Sequence, residues 1–331
     1  MTNLTLLAVL VLAFATGIGA VATGSSRGRW VVVAHGIAGI AVILLIPWKS
    51  RIVRHGMHRE RSSRWASVLL AALAATTIAV GLGYSTGLVQ SVAGQYGMWV
   101  HIAAALALAP LLLWHVFARK TPPRKTDLSR RVLLRAGVLG SAAAGIYLAT
   151  DWAVRHSDLP GARRRFTGSH EIGSFDPVAM PSTTWLNDTT PTVDPDRWRL
   201  TVVDLTGSYE LTLSEITEHA TRLRATLDCT SGWFSHQDWT GVPVSALIRD
   251  RGGANSVLVH SVTGYWIRFP VDEIDELLLA TSVGGEPLAP RHGYPLRLVA
   301  PSRRGFWWVK WVDRVEVQAA PAWWQPPFPL T

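Results

Sequence analysis

Apolar residues are distributed along this chain in two different ways. Over the first half they run in long blocks, about 4–23, 30–48, 66–88 and 98–118, each close to or above the ~20 residues a helix needs to cross a bilayer. Residues 66–98 include no charged side chain, and Trp30, Trp48, Trp65 and Trp99 stand at block ends, where interfacial aromatics belong. A fifth block, about 132–150, is rich in Ala and Gly and is interrupted by Arg135. From residue 198 the pattern changes to short β-branched runs. Arg199–Leu205, Val257–Ser261, Tyr265–Phe269, Leu296–Ala300 and Val312–Gln318 predict strands, separated by helical runs at Leu213–Ala220, Val271–Ala280 and, more briefly, Val244–Arg251. Residues 152–197 carry Pro160, Pro177, Pro181, Pro191 and Pro195 among many Ser and Thr and read as a loop-rich approach to the strand-forming region. The predicted architecture is an N-terminal all-α transmembrane bundle of about five spans followed by a C-terminal α+β domain. Its parts are a four-helix bundle over 1–120, a basic lead-in and fifth segment over 121–151, and the α+β domain over 152–331. No internal repeat, phosphate-binding glycine loop or cysteine-rich cluster is evident.

Charge adds an orientation. The formal net charge is +9, and much of the excess falls in two loops. Loop 49–64 holds Lys49, Arg51, Arg54, Arg59, Arg61 and Arg64; loop 119–131 holds Arg119, Lys120, Arg124, Lys125, Arg130 and Arg131; loop 89–97 holds none. The positive-inside rule makes both basic loops cytoplasmic, so a chain with five spans and a cytoplasmic N-terminus would have its residues beyond about 152 outside. The basic balance is thus a signal of topology in a lipid bilayer, and nucleic acid is not an expected partner. Ser129-Arg130-Arg131 before an apolar block has the form of a twin-arginine export signal, which would make the twin-arginine machinery a partner. The alternative is an ordinary pair of positive-inside anchors. Arg135 shortens the apolar run behind it, which is compatible with cleavage after this segment.

Three histidines lie inside apolar blocks. His35 is near the start of the second block and His101 near the start of the fourth; both blocks run inward, so both imidazoles are expected near the outer face, where they could ligate one b-type haem from two sides. His115 follows His101 by nearly four turns, about 21 Å deeper by helix rise, and suggests a second haem. Its partner would be His55 or His58, provided the second helix continues past the membrane. The alternative for all three is interhelical hydrogen bonding.

The single cysteine, Cys229, cannot form an internal disulfide. It ends a strand-like run in Thr226-Leu227-Asp228-Cys229-Thr230-Ser231-Gly232-Trp233, where it is either a small buried hydrophobe or a thiolate aimed at a metal. Further blocks come after it in Gly264-Tyr265-Trp266, Gly285-Glu286-Pro287-Leu288, Arg291-His292-Gly293-Tyr294-Pro295-Leu296-Arg297 and Trp308-Val309-Lys310-Trp311. In that order they resemble the molybdopterin domain of the sulfite oxidase family, over about residues 165–320. The resemblance implies Cys229 as the molybdenum ligand, Tyr265 as an active-site tyrosine, and His292, Arg297 and Lys310 as holders of the pterin and its phosphate. The residue types suit that chemistry, since the metal needs a soft anionic ligand and the phosphate needs cations.

One departure bears on substrate. Sulfite oxidases follow their cysteine with a Gly-Asn-Arg-Arg type run, whereas this chain has Ser231-Gly232-Trp233-Phe234-Ser235-His236. Arg303 and Arg304 are the candidates to restore positive charge and join the cofactor-binding set. Loss of the sulfite-type arginines beside a membrane half resembles the methionine sulfoxide reductase branch more than the sulfite oxidases, and leaves substrate and direction open. The resulting expectation is a membrane-bound, extracytoplasmic molybdopterin-dependent oxidoreductase acting on a small molecule. It would exchange electrons through b-type haem in its bundle with quinone or another redox partner. Cofactor insertion in the cytoplasm requires folding before export, which favours the twin-arginine reading. The rival expectations are a metal-free binding protein with a sulfite-oxidase-like domain, and a haem-only electron relay.

Overall fold

A computed structural model of the chain describes residues 2–57, 64–118, 129–184 and 189–325, which divide into a helical unit up to His170 and a second unit from Glu171. The long apolar blocks form helices α1 (Thr2–Ala22), α2 (Arg29–Met57), α3 (Arg64–Thr86), α4 (Gly97–Ala118) and α5 (Arg130–Arg155). All five are long and apolar enough to cross a membrane. They pack as two hairpins, α1 with α2 and α3 with α4, with α5 laid on α2 where Gly36 leaves a notch for the Tyr147 ring. Helix α2 continues through Pro47 well past its apolar block and carries His55 with it, whereas His58, Arg59, Arg61 and the run Arg119–Lys125 lie outside the described residues.

A two-stranded ribbon, β1 (Ser91–Val92) and β2 (Gln95–Tyr96), joins α3 to α4. The chain after α5 stays with the helices as far as His170. Gly161 fits where a Cβ would strike the Ser85 carbonyl, the buried His170 donates from Nε2 to the Tyr84 carbonyl at 3.0 Å, and Arg164 is ion-paired with Asp151 of α5 at 2.5 Å.

The second unit is built on two sheets. After the short β3 (His170–Glu171) come β4 (Leu200–Asp204), β5 (Gly207–Leu211), α6 (Leu213–Glu218), β6 (Thr221–Asp228), β7 (Trp233–Pro243), α7 (Val244–Leu247), β8 (Ser256–Ser261), β9 (Trp266–Pro270), β10 (Leu278–Val283), β11 (Glu286–Pro287), β12 (Arg297–Val299) and β13 (Val312–Gln318). One sheet has the order β5-β4-β13-β8-β9, with β4 and β13 parallel. The other runs β11-β10-β7-β3, with β12 also on β10 and β6 also on β7. Alternation fixes the buried faces. Leu200 and Val202 of β4 and Val257 and Val259 of β8 are fully buried, as a half-buried strand requires.

One sequence expectation is corrected here. The predicted helix over Val271–Ala280 is a 3-10 turn over Val271–Glu276 followed by strand β10. The Leu277-Leu278-Leu279-Ala280 run has helical propensity, but β10 is central, hydrogen-bonded to both β7 and β12, and tertiary pairing overrides propensity.

Candidate active site

Cys229 stands at the tip of the β6–β7 hairpin, in the turn Cys229–Gly232. Its backbone N–H donates to the Trp233 carbonyl at 2.8 Å and Gly232 N–H donates back to the Cys229 carbonyl at 3.1 Å. Gly232 takes φ of +102°, which only glycine adopts without strain, and so closes the turn that aims the thiol. The residue is 8 % exposed, and Ser231 Oγ donates to its sulfur at 3.1 Å. Behind the turn, Arg304 donates to Asp228 Oδ1 at 2.6 Å and to the Cys229 carbonyl at 3.0 Å, with both charged side chains almost fully buried.

The family-type cations gather around this turn. Arg297 of β12 is 1 % exposed and lies between the rings of Trp239 and Trp308, at 4.9 and 5.6 Å from their centroids. No carboxylate among the described residues pairs with it. One N–H donates to the His292 carbonyl at 3.1 Å, and its buried Nε has no partner. Burial pulls the guanidinium down to about 9, a fall opposed by its electrostatic interaction with Cys229. His292 is buried as well, and its Nε2 also lacks a partner. Burial first, then Arg297, Arg291 and Lys310, push His292 down to about 3, so it is neutral at ordinary pH. Lys310 donates from Nζ to Ser182 Oγ at 2.9 Å and to the Thr183 carbonyl at 3.0 Å. Gly293, at φ +108°, lets these groups converge; a Cβ there would lie 3.0 Å from Arg297 Cβ and 3.2 Å from Lys310 Cβ.

The remaining candidates fall as follows. Tyr265 is buried, with its hydroxyl donating to the Phe306 carbonyl. Arg303, unlike Arg304, is half-exposed, ion-paired with Glu273 and stacked on Trp307 at 4.8 Å. Both arginines therefore have carboxylate partners, whereas the buried Arg297 has none among the described residues. Trp233 and Phe234 are buried in β7, with Trp233 Nε1 donating to Thr183 Oγ1 at 3.4 Å. Sequence reasoning missed Ser231, Ser182 and Thr183. Ser231 had a signal in its place two residues after the cysteine, while Ser182 and Thr183 arrive from a proline-rich loop with none.

In the helical unit, His35 of α2 and His101 of α4 meet with ring centroids 6.0 Å apart and planes at 83°. His35 Nδ1 bonds to the Ala13 carbonyl at 2.9 Å, with Thr16 Oγ1 at 3.4 Å, and His101 Nδ1 bonds to the Thr77 carbonyl at 2.8 Å. Neither Nε2 has a hydrogen-bond partner among the described residues. His115 lies on the same helix as His101 but about 21 Å along it and is not part of this pair.

Residues 187–324 match the family model described as the oxidoreductase molybdopterin binding domain. The C-terminal region is an oxidoreductase molybdopterin-binding domain of the sulfite oxidase and nitrate reductase family. It is 30% identical over 131 residues to the uncharacterized oxidoreductase YuiH of Bacillus subtilis, covering 37% of this chain and 66% of that protein. It is 28% identical over 165 residues to mitochondrial sulfite oxidase of Homo sapiens, covering 39% and 30%, and 37% identical over 97 residues to a nitrate reductase [NADPH] of Phytophthora infestans, covering 25% and 11%. Each of these relatives is thus matched over less than two-thirds of its own length. The sulfane dehydrogenase SoxCD of Paracoccus pantotrophus aligns over 40% of both chains at 22% identity with a TM-score of 0.37, a likeness too slight to define the fold.

Proposed function

We propose that this chain is a membrane-anchored molybdenum oxidoreductase whose catalytic domain lies outside the cytoplasm and exchanges electrons through its own helices. The observation that carries the reading is the buried Arg297 guanidinium, unneutralised by any described carboxylate, beside the one thiol of the chain. A buried cation without a partner is costly, so this site calls for an anion. The orphaned Arg297 Nε and His292 Nε2 are further donors or acceptors awaiting a group. A soft sulfur ligand with cations behind it fits molybdopterin, which when bound supplies two-electron oxygen-atom transfer at its molybdenum. Cys229 would hold the metal through its thiolate, with the Ser231 hydroxyl steadying the sulfur. Arg297, His292 and Lys310 would hold the pterin and its phosphate. Tyr265 stands as a wall residue anchored to the Phe306 carbonyl. Asp228 and Glu273 engage Arg304 and Arg303, so these two do not stand in for the free arginines of the sulfite-type run, and Arg297 would be taken up by the cofactor. We therefore favour an uncharged oxygen-bearing substrate such as a sulfoxide.

The His35–His101 pair supports a b-type haem as the electron path. His35 and His101, with ring centroids 6.0 Å apart, would hold the haem iron between them. Each Nδ1–H is taken by a carbonyl, which leaves each Nε2 lone pair for a metal. Bound haem supplies one-electron transfer, with quinone as the membrane partner. Arg130-Arg131, at the start of α5, fit export of the folded domain by the twin-arginine machinery.

Elemental analysis and a reduced absorbance spectrum of membranes holding the full chain test both halves. About one molybdenum per chain, lost with turnover in Cys229→Ser, is expected. A molybdenum-free protein from a pterin-competent host would overturn the catalytic reading. His35→Ala and His101→Ala should each remove the same share of b-type absorbance, and a wild type without that absorbance would overturn the electron path.

A further inference from the structure

The two helical hairpins repeat one local device. In an α-helix the carbonyl of residue i accepts from the N–H of residue i+4, and the Cβ of that residue tilts back toward the helix N-terminus, over the same carbonyl. A second donor reaches the carbonyl most easily when residue i+4 has no side chain. The residues four after Ala13 and Thr77 are Gly17 and Gly81. Through these gaps His35 reaches the Ala13 carbonyl and His101 the Thr77 carbonyl. A Cβ on Gly17 would lie 3.1 Å from His35 Cε1 and 3.3 Å from Nδ1; on Gly81 it would lie 2.9 Å from His101 Nδ1 and 3.0 Å from Cε1. Each glycine stands five residues before its helix ends. The coincidence of carbonyl, glycine, imidazole and depth in both hairpins is a structural duplication.

We propose that Gly17 and Gly81 are positioning residues for the paired imidazoles: each opens one backbone carbonyl, and that carbonyl sets the tautomer and aim of its histidine. This rests on the haem reading above and adds to it. A backbone carbonyl cannot be removed by substitution, so the glycine is where side-chain change controls the bond. Hydrogen bonding through Nδ1 raises the basicity of Nε2 and locks the ring, as outer partners of metal-bound histidines do. Strengthening the donor favours the oxidised iron, so weakening the bond should raise the midpoint potential.

The test compares Gly17→Ala, Gly81→Ala and Gly39→Ala in membranes containing the full chain, with haem per chain, midpoint potential and molybdenum per chain measured on each. Gly39 lies on α2 with open space where its Cβ would go, so it reports the effect of a helical Gly→Ala change alone. Gly81→Ala should weaken haem retention on the order of 10-fold, and the haem that remains should titrate at higher potential. Gly17→Ala should shift the same way by less, because its contacts are longer, and it carries the test if Gly81→Ala fails to accumulate. Molybdenum content should hold in both, and Gly39→Ala should match the wild type. Wild-type retention and potential in both glycine variants, with haem present, would overturn this inference while leaving the haem reading standing. A wild type devoid of haem would overturn both.

Discussion

Replacing Arg304 by Met removes one half of the ion pair directly behind Cys229. The guanidinium and the Asp228 carboxylate have side-chain exposures of 3% and 2%, so neither is screened by solvent. Met keeps most of the volume and leaves Asp228 without its cation and the Cys229 carbonyl without the 3.0 Å bond. Breaking a buried pair from one side costs about 3–5 kcal/mol. For a unit of this size each kcal/mol lowers Tm by roughly 2–4 °C, so the catalytic domain should melt about 6–20 °C lower. Asp228→Leu combined with Arg304→Met removes both charges, and much of the loss should return, since a buried pair is often close to neutral against an apolar replacement. Thermal melting of the two single variants and the double, in detergent and at equal molybdenum loading, gives the coupling energy. An Arg304→Met protein melting within about 2 °C of wild type, or a double variant no better than the worse single, would refute this account of what holds the cysteine turn.

The same geometry sets three further outcomes. Arg130→Lys with Arg131→Lys keeps both charges, so a receptor that reads guanidinium geometry should leave the catalytic domain cytoplasmic; protease access beyond residue 152 in spheroplasts checks it, and unchanged access would return the pair to a simple anchor. His292 has a folded value near 3 against 6.5 unfolded, so the unfolded chain binds the extra proton between those values. Stability should therefore fall as pH drops from 6.5 toward 3, and His292→Gln should flatten that window in pH-dependent melting. Tyr265→Phe removes the hydroxyl bond to the Phe306 carbonyl and should cost about 1 kcal/mol of domain stability with a loss of turnover, read from melting and steady-state rates together.

The helical half is legible in the sequence because unbroken apolar length is a strong signal: all five blocks are helices, and α2 and α5 run on past their apolar residues where polar turns continue the hydrogen-bond ladder. Among the strands, Val312–Gln318 agrees to the residue, while β7 escapes the sequence reading altogether. The reason is physical. Strand β7 buries Trp233, Ser235, Gln237 and Trp239 on one face, and Ser and Gln do not read as core residues until Ser235 and Gln237 are seen bonding to the Gly173 carbonyl. Arg297 is legible as a cation, but not as a cation sandwiched between Trp239 and Trp308, because contacts between strands far apart in sequence leave no periodicity. The glycine device around His35 and His101 escapes for a related reason. Glycines in apolar helices are common, and only the three-dimensional register shows which ones face an imidazole.

A short loop near the end of the domain ties these observations together. Arg304 grips the backbone of Cys229, Gly305 lies so close that a Cβ would sit 3.1 Å from Cys229 Cα, and the Phe306 carbonyl receives the Tyr265 hydroxyl. Three consecutive residues thus hold the cysteine turn and the tyrosine, which flank strands of different sheets and are 36 positions apart in the chain. A side chain larger than glycine at 305 would press directly on the cysteine turn, where the neighbouring atoms are backbone and have little freedom to retreat. The relative placement of metal ligand and tyrosine is therefore set less by the strands that carry them than by this loop, and changes at 304–306 should disturb both residues at once.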